Sequence, residues 1–221
     1  MARTQAADYG ARRAAIVETA ARLYADKGFL GASVADLAAA LGASKSLIYH
    51  YYPSKEEILF EVMDQHLRLL SQAADRVLAQ DLSPPDKLRA LARAFMGHYV
   101  GAAARHKVLL NELGALPLAR RAEIVARQRR LIADVERLLS AIRPGLSVDL
   151  RRPAAMLFFG MINWTHTWFR ADGPVSADQV ADLASDLVLG GLAGRPPNAV
   201  ASPPPLGDPE GVEGVIGRHP S

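Results

Sequence analysis

The stretch from Ser33 to Lys55, SVADLAAALGASKSLIYHYYPSK, constrains the fold more than any other part of this chain. Ser33 is suited to accept a backbone hydrogen bond at a helix start, and Asp36, three residues on, completes a capping-box pattern ahead of Leu37, Ala38 and Leu41. The pattern predicts a short helix from Val34 to Leu41. Gly42 tolerates a left-handed turn, and Ser44 is a second N-cap that opens a helix from Lys45 to Tyr51. Two helices joined this tightly must cross steeply. Small Ala38 permits the close approach and Ile48 fills the angle, which is the arrangement of a helix-turn-helix. Lys45, Ser46, Tyr49 and His50 then point outward: a cation, hydroxyls and a ring donor, the groups that read base edges and hold phosphates in a major groove. A hairpin packed on its own domain is the plainer alternative, but it gives no reason for an exposed Lys, Tyr and His there.

The residues Ser33, Ala38, Gly42, Ser44, Lys45, the run Leu47 to Tyr52 and Pro53-Ser54-Lys55 resemble the TetR family of transcriptional repressors. The likeness extends over Arg13 to Phe60, with Tyr52 where the family often has Phe. It implies that Lys45, Ser46 and His50 contact bases while Ser33, Tyr49 and Lys55 hold phosphates. With Ser44 and Tyr51, these form the candidate DNA-binding set. It further implies a homodimer on a palindromic double-stranded operator.

Composition narrows the function classes. With no cysteine, disulfides, thiol nucleophiles and Cys-based zinc sites are excluded. The longest apolar run, Ala154 to Ile162, is too short to span a bilayer, and Met1 to Gly10 lacks the apolar core of a leader, so a cytoplasmic protein without membrane contact is expected. Residues 1 to 55 carry seven Lys and Arg against four Asp and Glu, and the remainder is balanced at 19 of each. All the net positive charge therefore lies in the part expected to meet DNA.

The whole chain reads as all-α. Met1 to Gly10 is expected to be a polar, mobile arm, with reach into a minor groove as the alternative, and a first helix follows from Ala11 to Lys27 with Gly28 as its stop. Ser54 and Glu57 suggest a second capping box, opening a long helix from Lys55 to Leu78 that belongs to both modules. Further helices are predicted over Asp86 to Ala104, His106 to Leu113, Pro117 to Ile142, Pro153 to Arg170 and Ser176 to Leu192. The domain reading is a helix-turn-helix domain over 1–53, a helical effector-binding and dimerisation domain over 54–194, and a flexible Pro- and Gly-rich tail over 195–221.

Two segments carry the effector reading. Pro153 to Arg170 has one apolar stripe of Leu157, Met161, Trp164 and Trp168, a second of Phe158, Ile162 and Phe169, and a third of Phe159, Asn163, His166, Thr167 and Arg170 that turns polar. Trp164 and Trp168 read first as core or dimer packing, whereas Asn163, His166 and Thr167 read equally well as pocket groups. Pro117 to Arg143 holds seven Arg against Glu123, Asp134 and Glu136. That excess is either a solvated helix face or a landing site for a polyanion. HKVLLNELGALP, from His106, and MINWTHTWF, from Met161, resemble TetR-type regulators of phenylacetate and fatty-acid catabolism that respond to acyl-coenzyme A thioesters. The resemblance implies a small-molecule effector, an acyl- or aryl-CoA thioester, contacted by Phe95, Tyr99, Asn111, Arg127, Arg130, Phe159, Asn163, Trp164, His166 and Thr167. A regulator of drug efflux that takes lipophilic compounds is the alternative. No cofactor, metal site or enzymatic activity is expected, since the histidines form no ligand pair and no nucleophile elbow or phosphate loop occurs.

Overall fold

The computed structural model describes residues 2–194, with side chains from Tyr9 onward, and every regular element among them is helical. Helix α1, Ala2–Gly31, begins well before the predicted Ala11, so the backbone of the expected arm continues the helix. Tyr9 gives that end something to pack on, since its ring meets that of Tyr51 at 4.7 Å. The side chain of Arg3 and the tail over 195–221 lie outside the described residues. Gly28 interrupts α1 with φ 74°, a conformation that glycine alone adopts without strain, and so turns Phe29 inward edge-on to Tyr24 at 5.4 Å.

Helices α2, Val34–Ala40, and α3, Lys45–Tyr51, form the steep pair that the sequence predicts. The Ser33 hydroxyl accepts from the Asp36 amide at 3.1 Å, and the Asp36 carboxylate accepts from the Ser33 amide at 2.8 Å. These bonds from Ser33, with Lys27 nearby, hold the Asp36 carboxyl down to about 2. Gly42 takes the left-handed turn at φ 61°, and Ala38 and Ile48 are buried in the crossing. A cap of this kind stabilises by about 1 kcal/mol, and Ile48 by roughly 2 kcal/mol through burial, so packing decides the pair and the caps set its limits.

Helix α4, Lys55–Leu78, touches α1 and runs along α5 (Pro84–Gly101), α6 (Ala103–Asn111) and α7 (Leu118–Ile142). The box at its start closes only halfway. Ser54 caps the Glu57 amide at 3.2 Å, but the Glu57 carboxylate turns away to accept from Arg120 at 2.8 and 2.7 Å. Helix α5 starts at Pro84 rather than Asp86, because Ser83 caps it and proline suits a first helical position that needs no N–H.

The predicted helix Pro153 to Arg170 differs at both ends. Helix α8 spans Val148–Asn163 with Pro153 inside it, and Trp164–Thr167 then tightens into a 3₁₀ turn. There the Thr165 hydroxyl bonds to the Ile162 carbonyl and the Thr167 hydroxyl to that of Trp164, side-chain bonds that compete with regular helix. The expected stripe through Trp164 and Trp168 is broken by that tightening, and both rings are exposed. Helix α9, Ala177–Ala193, packs along α5 and against α8, which itself lies on α7. The outer sides of α8 and α9 leave Leu157, Leu183 and Leu187 exposed at 70%, 62% and 60%, and Leu157 and Leu187 line an apolar groove with Met161, Val188 and Leu192. Among the described residues, no helix is long and apolar enough to cross a membrane.

Candidate functional site

Local capping fixes the outer face of α3. Ser44 accepts from the Leu47 amide at 3.1 Å, and the helix it starts presents Lys45, Ser46, Tyr49 and His50 to solvent. Among the described residues, neither Lys45 nor His50 takes part in an ion pair. Tyr51 is half-buried between the rings of Tyr9, at 4.7 Å, and His50, at 5.3 Å. Ser33 is engaged in the cap of α2. Lys55 stands apart from the other expected DNA residues: its ammonium donates to the Phe29 carbonyl and sits 4.0 Å from the Phe29 ring centroid, bracing the start of α4 on the end of α1. Arg13, absent from the expected set, does similar work by donating to the Tyr52 hydroxyl at 3.2 Å and pairing with Glu61 at 3.5 Å.

A second site lies in the larger module. A cavity of about 190 Å³ between the end of α5, the start of α6 and the turn after α8 is lined by Tyr99, Val100, Ala103, Thr165, His166, Phe169 and Ala171. Behind it the Tyr99 ring stacks on His106 at 3.7 Å, and Phe95 stacks on Tyr99 at 6.2 Å and on Phe159 at 5.9 Å. The His66 Nε2 meets the His106 Nδ1 at 3.3 Å. Burial lowers His66 to about 4, and burial with His66 and His166 close by lowers His106 to about 3; burial also raises the Tyr99 hydroxyl. The cluster is therefore uncharged at neutral pH. His66 Nδ1, His106 Nε2 and Asn163 Oδ1 are buried without a hydrogen-bond partner among the described residues.

The structure thus brings Phe95, Tyr99, Phe159, Asn163 and His166 into one region. Trp164 and Thr167 lie on the exposed side of the turn, although the Trp164 ring meets His166 edge-on at 6.0 Å. Asn111 is exposed and lines a different hollow, with Tyr24, Gly28, Lys107 and Glu112. His66 and His106 were missed by the sequence reading. His66 had a signal, since its spacing from Met63 and Leu70 puts it on the buried face of α4. Its meeting with His106, 40 residues away, had none.

The arginines of α7 differ most from expectation. Arg127 lies 2.5 Å and Arg68 2.6 Å from the carboxylate of wholly buried Asp64. The angles there fall outside hydrogen-bond geometry, so the contact is an ion pair rather than a directed bond. Arg130 pairs with Asp75 at 2.5 Å and Arg120 with Glu57 at 2.7 Å. Most of the apparent excess on α7 is thus matched by carboxylates of α4, and neither Arg127 nor Arg130 lines the cavity. Among the described residues, no group of His, Asp and Glu is placed to hold a metal ion.

Residues 16–62 match the family described as bacterial regulatory proteins, tetR family, and residues 81–192 match the tetracyclin repressor-like C-terminal domain. The chain belongs to the TetR family of transcriptional regulators. Within this family, it is 29% identical over 192 residues to the transcriptional repressor KstR2 of Mycolicibacterium smegmatis, a match covering 82% of this chain and 90% of that protein. A TetR-family regulator from Bordetella parapertussis is 38% identical with a TM-score of 0.78, over 80% of this chain and 93% of the other. AibR, whose structure holds isovaleryl coenzyme A and operator DNA, is 31% identical with a TM-score of 0.72, over 80% of this chain and 97% of its own. These relatives are regulators, not enzymes.

Proposed function

We propose that the chain is a homodimeric repressor that binds a palindromic operator through α3 of each subunit and is released by a small coenzyme A thioester. In this reading residues 1–53 engage DNA in the cytoplasm and residues 54–194 hold the effector and the partner subunit. Lys45, Ser46 and His50 read base edges, and Ser33, Ser44, Tyr49 and Tyr51 lie along the phosphates. Lys55 acts one step behind them, as the brace between α1 and α4. The exposed leucines of α8 and α9 support the dimer, because an apolar face this continuous is stable in water only when covered. Two half-sites then lie roughly 34 to 36 Å apart or a multiple of that.

The observation that carries the effector reading is the cavity beside Tyr99 and His166. At about 190 Å³ it is smaller than the roughly 300 to 1,000 Å³ of drug-sized sites, which favours a short acyl group over a bulky lipophilic compound. The likeness to AibR supports a thioester. Phe95, Phe159 and Asn163 form the wall behind the acyl group, while Arg127 and Arg130 contribute by holding α7 on α4. Effector and operator compete by linkage, since binding one favours a subunit geometry that misfits the other. A gel-shift titration tests this: isovaleryl-CoA releases the operator at micromolar concentration and free coenzyme A leaves it bound. Release by lipophilic dyes, with thioesters inert, would replace this reading with drug-efflux control.

A further inference from the structure

We infer that the cavity beside Tyr99 and His166 selects an acyl group bearing a hydroxyl, so that the effector is a short hydroxyacyl thioester. The inference rests on reading this cavity as the acyl site. The Asn163 carbonyl lies 2.8 Å from the His166 Nδ1, and a carbonyl can only accept. Nδ1 therefore carries the hydrogen, and in the tautomer with a single ring hydrogen this leaves Nε2 as an acceptor. Among the described residues, neither His166 Nε2 nor the Tyr99 hydroxyl has a hydrogen-bond partner, and both residues line the cavity. The third polar residue of the lining, Thr165, is already engaged, because its hydroxyl bonds to the Ile162 carbonyl.

The lining residues thus carry two polar groups without a partner among the described residues, one ring nitrogen and one hydroxyl. The Tyr99 ring is held flat against His106 at 3.7 Å, which fixes where its hydroxyl stands. Val100, Ala103, Phe169 and Ala171 supply an apolar remainder. A plain alkyl group returns no bond to either His166 or Tyr99. A ketone accepts from Tyr99 and leaves His166 unpaired. A ligand hydroxyl can donate to His166 Nε2 and accept from Tyr99, so of these three it is the one that can satisfy both.

The test titrates the full-length protein with butyryl-CoA, acetoacetyl-CoA and 3-hydroxybutyryl-CoA by calorimetry, with operator release measured in parallel. The hydroxyacyl thioester binds tightest, the keto compound next and butyryl-CoA weakest, with roughly ten- to a hundredfold between the extremes. Tyr99→Phe, which removes only an oxygen, and His166→Phe each take away about tenfold of that preference while operator affinity, and hence the fold, is retained. Equal binding of butyryl- and 3-hydroxybutyryl-CoA, or an unchanged preference in Tyr99→Phe, overturns hydroxyl selection and leaves the acyl site standing. If no thioester binds, the acyl-site reading fails and this inference fails with it.

Discussion

Two basic helices, α3 and α7, look alike in the sequence and differ in the fold. The one Lys of α3, Lys45, is exposed and without an ion-pair partner among the described residues, whereas α7 carries six Arg and three of them are held by carboxylates of α4. Local charge counting ranks α7 as the stronger anion site. Tertiary pairing reverses that order, because a cation already held by a carboxylate has little left to offer a phosphate. Free charge, rather than formal charge, is what a helix has to offer a phosphate.

The comparison is broken most directly at Arg127. Arg127→Leu leaves the wholly buried Asp64 with Arg68 alone, at a cost of about 2 to 3 kcal/mol, and lowers the melting temperature by roughly 5 to 10 °C. Thioester affinity per folded molecule stays unchanged; a melt paired with calorimetry reads both, and a lost affinity with an intact melt would return Arg127 to the effector. On α3 the expectation is the reverse. Lys45→Ala costs about 1 to 3 kcal/mol in operator binding, relaxes sequence choice and leaves the melting temperature in place.

The buried imidazoles sharpen the contrast, because His66 and His106 lack the counter-ion that the buried Asp64 has. His66 and His106 fall from 6.5 to about 4 and about 3 in the folded chain. The unfolded chain therefore binds protons that the folded one refuses. Their stabilisation is complete above about pH 6.5 and is lost as pH falls toward 4, at up to roughly 1.4 kcal/mol per pH unit for each histidine. Urea unfolding across that range shows this slope, and His66→Gln with His106→Gln flattens it.

Lys55 gives the smallest effect and the finest discrimination. Lys55→Ala removes the bond to Phe29 and costs about 1 kcal/mol of stability. Its salt slope of operator binding stays that of the parent, whereas loss of a phosphate contact would lower the slope by about one per subunit.

The sequence by itself determined the helical elements and the α2–α3 pair with its caps, because capping boxes, a turn glycine and apolar periodicity all act within a few residues, and the class of regulator came with the resemblance of that stretch to the TetR family. Gly28, Ser33, Gly42 and Ser44 stand in the roles their types suggest. Only the tertiary structure decided which polar groups remain free. Arg127 meets Asp64, Lys55 meets Phe29 and His66 meets His106 across separations that no local pattern encodes. The run from Trp164 to Thr167 left the helix for a local reason instead. Its hydroxyls found nearby carbonyls, and the helical period that aligned the tryptophans with Leu157 ended there. Caps and turns are short-range and follow residue type, but hydrogen-bond and ion-pair partners are chosen by packing, and packing is a property of the whole chain.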